Sequence, residues 1–206
     1  MELFDRDADF KMDVLREVGN IGAGHAATAL SKLLDKPIDM AVPTVSILPF
    51  DEIADKVGGA EAVVAAIYLR VEGDVPGNLF FIMSQDQARR LLRDLLGFEA
   101  VEADGYTEME LSALCEIGNI LAGSYLSSLA DLTRLRLSPS VPSVAVDMAG
   151  AVLSYGLLQY GVMGEDALLI DTTFLEGKHE AEGYFFLIPD PESFNKLFGA
   201  LGVPLE

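Results

Sequence analysis

Apolar residues recur at helical spacing from about residue 8 to 34, at Phe10, Val14, Val18, Ile21, Leu30 and Leu33, and predict a long first helix. It should end before Lys36-Pro37, because the residue ahead of a proline is pushed out of helical backbone. Strand-like runs follow at about 38–49, 62–72 and 77–83. Residues 86–96 then form an amphipathic helix stopped by Gly97. The second half repeats the order. A helix at about 107–131 opens on Thr107-x-x-Glu110, a capping box. Strand-like runs near 142–146, 166–176 and 183–188 and a helix at 190–201 follow. The stretch 147–160 reads as a further short helix, with 51–57 as its counterpart.

The repetition extends to residue identities. Residues 13–43 set against 112–142, without a gap, share eleven of thirty-one positions. These include Glu17/Glu116, Gly19/Gly118, Asn20/Asn119, Gly24/Gly123 and Pro43/Pro142. A duplication kept for packing alone preserves apolar pattern and lets polar identities drift. Here a Glu and an Asn persist in both copies, which points to two similar sites. The segment 98–106 joining the halves is short. The expected fold is therefore mixed α/β (α+β): one domain over 1–206, built from repeats at about 8–97 and 107–202. Each half holds a long motif helix, several mostly antiparallel strands and a shorter helix, around a shared sheet.

Composition narrows the partners. The net charge is −19, and Arg89-Arg90 and Arg134/Arg136 are the locally basic spots. Phosphate backbones and anionic lipid are bound through clusters of Lys and Arg, so neither nucleic acid nor a membrane surface is expected as a partner. No run approaches the roughly 18 apolar residues of a membrane span. The N-terminus is acidic, unlike a secretory signal, and Cys115 is the one cysteine. A cytoplasmic protein is expected.

At about 100° per residue, with Asp13 at zero, Glu17 falls near +40°, Asn20 near −20° and Gly24 near +20°. Ser112, Glu116, Asn119 and Gly123 take the same angles on the second helix. One narrow stripe thus holds polar side chains and then a glycine, while Val14, Val18, Ile21, Leu30 and Leu33 lie on the far side. A carboxamide carries both a donor and an acceptor, which suits it to orienting a water molecule. The carboxylate can pair with a cation on a partner, and the glycine permits close approach. There is no Ser/Cys–His dyad, Walker A loop or Cys/His metal cluster. Gly19-x-x-Gly22-x-Gly24 lies inside a helix, where it cannot serve as a nucleotide loop.

The spaced pattern Asp/Ser-x3-Glu-x2-Asn-x22-Pro, present twice, resembles that of the CheC/CheX/FliY family of chemotaxis phosphatases, and the two-site layout is similar to its CheC-type members. CheX-like members carry one such site. FliY-like members append a flagellar-switch domain and an N-terminal peptide, whereas this sequence stops at Glu206 with about a dozen residues before its first motif. The resemblance implies hydrolysis of the phospho-aspartate of a CheY-type response regulator. Asn20 and Asn119 would orient the attacking water, and Glu17 and Glu116 would pair with a regulator lysine. Mg2+ would sit on the regulator, with no metal or other cofactor bound by this chain. It also implies binding of the receptor deamidase CheD, on the helix around Asp147–Tyr160. The alternatives are a CheD-binding module with weak phosphatase activity, or a FliY-like phosphatase of the flagellar switch.

Asp13 and Ser112 fit the motif but differ chemically, so helix polarity or support of the Glu explains them as well as catalysis does. Pro43 and Pro142 are read as ending or kinking an edge strand. His25 is expected as a packed histidine and Cys115 as a small buried residue. Asp147 is expected to open the helix that follows it, either capping the first turn or facing a partner. Met148, Val152, Leu153, Tyr155 and Tyr160 exceed what a short helix needs for its own anchoring.

Overall fold

The computed structural model describes residues 2–42, 44–95, 97, 105–160 and 166–202, with side chains described outside 2–11, 94–95 and 155–160. Pro43 and most of the joining segment, 98–104, fall outside the described residues. The elements run α1 (Glu2–Leu34), β1 (Asp39–Ala41), β2 (Val45–Pro49), α2 (Ile53–Lys56), β3 (Val63–Gly73), β4 (Gly77–Ser84) and α3 (Gln85–Arg90). The second half adds α4 (Glu108–Thr133), β5 (Leu137–Pro139), β6 (Ser143–Met148), α5 (Ala149–Tyr160), β7 (Asp166–Glu176), β8 (His179–Pro189) and α6 (Pro191–Ala200).

One eight-stranded sheet draws on both halves. Its spine is β7-β8-β4-β3, antiparallel throughout. Strands β1 and β2 of the first half pair with β7 of the second, and β5 and β6 of the second pair with β3 of the first. Each half thus finishes the edge of the other. At the centre Phe80 stands opposite Phe186. These two occupy the same place in Gly77-Asn-Leu-Phe-Phe-Ile and Gly183-Tyr-Phe-Phe-Leu-Ile, so the repeat's pseudo-two-fold axis passes between β4 and β8.

Strand alternation gives the sheet two apolar faces. Leu79, Phe81, Phe185 and Leu187 lie beneath α1, α3, α4 and α6, in one core with Leu15, Val18, Leu114, Ile117 and Tyr125. On the opposite face Phe80, Ile82, Phe186 and Ile188 pack with Ile53 of α2 and Val152 and Leu153 of α5. Val152 and Leu153 therefore complete this second core rather than stand free. Tyr155 and Tyr160 lie where side chains are not described.

Local chemistry sets the helix ends. Thr107 Oγ1 accepts from Glu110 N (3.2 Å) while Glu110 Oε2 accepts from Thr107 N (2.7 Å), completing the expected capping box. Asp35 and Arg134, equivalent in the repeat, both take left-handed backbone (φ 52° and 61°), so the two motif helices stop in the same way. The amphipathic stretch after β4 is α-helical only over Gln85–Arg90. It widens to i→i+5 turns over Leu91–Leu95 before Gly97.

Several expectations need correction. The run at 38–49 is two strands, and β5 is an additional short one. β8 begins at His179 rather than 183, because a tight turn with Gly177 at φ 60° extends the hairpin with β7. Asp147 does not open a helix. It lies in β6, opposite Val64, and α5 starts two residues later at Ala149. Leu33 is 55% exposed, since the last turn of α1 runs beyond the surface that covers the rest of that face.

Candidate functional site

The motif stripe faces away from everything the helices pack against. Gly22, about 180° from Asp13, presses on Tyr125 of α4, and an added Cβ would stand 2.3 Å from Cδ1 of that ring. Gly19, near 240°, faces Val42, Val45 and Ile170 of the sheet side at 3.2–3.6 Å. On α4 the same directions are taken by Tyr125, which meets α1, and by Gly118, whose Cβ would stand 2.4 Å from Ile67 of β3. Each stripe therefore points away from the other helix and from the sheet. The two sites look outward from opposite flanks of the helix layer, so one docked partner does not obstruct the other.

Asp13, Glu17, Asn20 and Gly24 are all exposed on α1, and Ser112, Glu116 and Asn119 are exposed on α4. Glu and Asn at i, i+3 project side by side in each copy. Among the described residues, Glu17, Asn20, Glu116 and Asn119 make no side-chain hydrogen bond or ion pair, so their polar atoms are open to a partner and to water. No heavy atom lies within 4 Å of a Cβ built on Gly24 or Gly123. The surface past each pair is therefore flat and unobstructed. Ser31, further along the first stripe, is already engaged: its Oγ donates to Ile38 O (3.1 Å) and accepts from Ile38 N (2.9 Å).

The flanking residues differ between copies. Asp13 Oδ1 accepts from Arg16 Nη1 at 3.1 Å, whereas Ser112 and Cys115 occupy those places on α4. Arg16 carries no mark in the sequence motif, and the contrast with Cys115 is the signal that singles it out. Burial, then the adjacent Glu116 carboxylate, pushes the Cys115 thiol up, so it stays protonated and is no nucleophile near neutral pH. His25 is exposed, not packed as expected: near 120° it falls just outside the buried arc. Pro142 immediately precedes β6, in keeping with a strand-edge role.

On the other face of the molecule, Asp147 is exposed and its Oδ1 accepts from the adjacent Met148 N at 2.7 Å. It lines a mostly apolar groove of about 330 Å³ with Tyr68, Phe80, Ala145, Ala151 and Val152. Among the described residues no cluster of three or more His, Cys, Asp or Glu could hold a metal, and no helix is long and apolar enough to cross a membrane.

The comparisons agree with this geometry. The model of the CheC-like family matches twice, at residues 10–47 and 109–146, which are the two motif segments. The CheY-P phosphatase CheC of Bacillus subtilis is 50% identical over 210 aligned residues, covering the whole of both chains. The flagellar motor switch phosphatase FliY of the same organism is 32% identical over 66% of this chain and 36% of its own length. Among solved structures, FliY of Thermotoga maritima superposes with a TM-score of 0.72 at 21% identity, covering 93% of this chain and 96% of that one, and so shares the fold. With half its residues identical to one member from end to end and both motif segments matched, the chain belongs to the CheC-like family.

Proposed function

We propose that this protein is a phosphatase that hydrolyses the phospho-aspartate of a CheY-type response regulator in the cytoplasm, and that it has two sites, Glu17/Asn20 and Glu116/Asn119. The observation that carries this reading is the pair of outward-facing Glu/Asn stripes with no partners inside the protein. The full-length identity to a CheY-P phosphatase supports it. Asn20 and Asn119 hold a water in line with phosphorus, one amide atom accepting from it and the other fixing the orientation. Positioning suffices because phosphoryl transfer needs little covalent chemistry from the protein. Glu17 and Glu116 pair with a cation of the regulator and so bring the Asn into register. The regulator supplies Mg2+, and this chain supplies no cofactor. Decay of a phosphorylated CheY-type regulator with and without the protein tests the reading: an unchanged decay rate refutes it.

A second role, binding of the receptor deamidase CheD, is proposed for the opposite face at the Asp147 groove. Its support is the family resemblance together with an exposed carboxylate and the exposed Met148 beside an apolar hollow. Asp147→Lys should weaken deamidase binding and leave dephosphorylation intact. Loss of both activities together with a lower melting temperature would make the residue structural only.

A further inference from the structure

The turn preceding each Glu/Asn pair is charged in the first copy and uncharged in the second: Asp13 and Arg16 against Ser112 and Cys115. The difference lies on the outer surface. Arg16 and Asp13 form an i, i+3 pair at 3.1 Å while their side chains remain 54% and 72% exposed. Exposed helix pairs of this kind add little to folding. Cys115, by contrast, is only half-exposed. Arg16 stands near −60° on the helix, on the same open side as Asn20 and one turn closer to the N-terminus. Helical side chains lean toward the N-terminus, so the guanidinium sits over the turn of Asp13 and not over the water that Asn20 would hold. Asp13 engages one arm of the fork, and the remaining donors face solvent in an orientation already fixed, which lowers the ordering cost of docking. On a chain of net charge −19 this is a local positive point where an anionic partner would otherwise meet like charge.

We propose that Arg16, held by Asp13, is a specificity-determining residue of the first site, pairing with a carboxylate on the phospho-regulator surface beside the acyl phosphate. The first site thereby docks the regulator partly by charge, and the second does not share this contact. The proposal rests on the Glu/Asn pairs being the hydrolytic sites.

The test uses the Asn119→Ala protein, in which the first site works alone. Adding Arg16→Ala should raise the KM for phospho-regulator about 3- to 10-fold, hold kcat within about two-fold and flatten the rise of KM with salt, as expected for a charge at the rim of an interface. Arg16→Lys should keep the salt dependence while recovering only part of the KM, since the fork is lost and the charge is kept. Unchanged KM and salt slope, or a matching fall in kcat, would overturn the proposal. A purely helical role for Arg16 would lower the melting temperature with KM unmoved, which also overturns it. The Asn20→Ala/Asn119→Ala protein separates the two levels. If that protein still hydrolyses at the wild-type rate, the parent reading fails and this proposal with it. If it is inert and Arg16→Ala is neutral, only the role of Arg16 is lost.

Discussion

Gly22 of α1 lies directly under the ring of Tyr125 on α4, with no space for a Cβ between them: one would stand 2.3 Å from Cδ1. In the repeat Gly22 corresponds to Leu121 and Tyr125 to Ala26, so where one helix carries the bulk the other gives way. The exchange lets two helices of common origin pack closely while losing strict symmetry. Tyr125 reaches further, with its hydroxyl 3.3 Å from Thr172 Oγ1 and its ring 4.5 Å from that of Phe185. One side chain thus ties α1, α4, β7 and β8 together, and it fixes which way the two stripes face.

Gly22→Ala should destabilise the fold by about 1–3 kcal/mol, the usual cost of overpacking, because a rigid buried ring has nowhere to move. Thermal or urea melting measures this. Gly22→Ala with Tyr125→Leu should recover part of the loss, since the two residues are in contact and their effects should not add.

Burial pushes the Tyr125 hydroxyl up to about 12 from an ordinary value of 10.0, with the Thr172 contact opposing the shift. A raised folded-state pKa means that the neutral ring contributes its stability in full below about 10. That stability is lost as pH rises through about 12. The urea midpoint should therefore fall more steeply between these values for the wild type than for Tyr125→Phe. Equal slopes would show that the hydroxyl is not shielded in solution.

The stripe was legible in the sequence because helical angle depends only on residue number: Glu17, Asn20, Glu116 and Asn119 are exposed as spacing predicts. The edge pairing was not legible. Whether β2 joins its own half or β7 depends on contacts over a hundred residues apart, and no local pattern in Val45–Pro49 encodes the choice. Asp147 was misplaced for a related reason. Small residues from Ala149 onward permit helix, but pairing with Val64 holds Asp147 in the strand. His25 and Leu33 sit at the margin of the buried arc, where angle alone does not say how far the neighbouring elements reach.

Asn20→Ala or Asn119→Ala alone should leave the activity of the other site, because the stripes face opposite flanks and share no residue. Removing one positioned polar group costs roughly 10²–10³ in rate in other enzymes, and a loss of that order is expected at each site. The double change should abolish acceleration while the melting curve stays near that of the wild type, both residues being exposed. Stopped assays on the phospho-regulator check this, and wild-type turnover by the double variant would remove both Asn residues from the mechanism.

Glu17→Lys and Glu116→Lys should raise KM more than they lower kcat, since the proposed contact is with a cation of the regulator. Each exposed ion pair is screened by salt, so the penalty should shrink as ionic strength rises. An effect confined to kcat would move the carboxylates from docking to chemistry.

Gly24 and Gly123 set folding against docking. Glycine inside a helix is unfavourable by about 1 kcal/mol relative to alanine, and a new methyl at either position would meet nothing within 4 Å. Gly24→Ala and Gly123→Ala should therefore stabilise the protein by up to about 1 kcal/mol each. If the glycines are instead kept for the close approach of the regulator, the same methyls should intrude on the complex and raise KM at the site concerned. Measuring melting temperature and KM on each variant, with the opposite site silenced by its Asn→Ala change, tests both consequences. A rise in stability with unchanged KM would show that the partner does not approach this turn of the helix, and the docking footprint would have to end at Asn20 and Asn119.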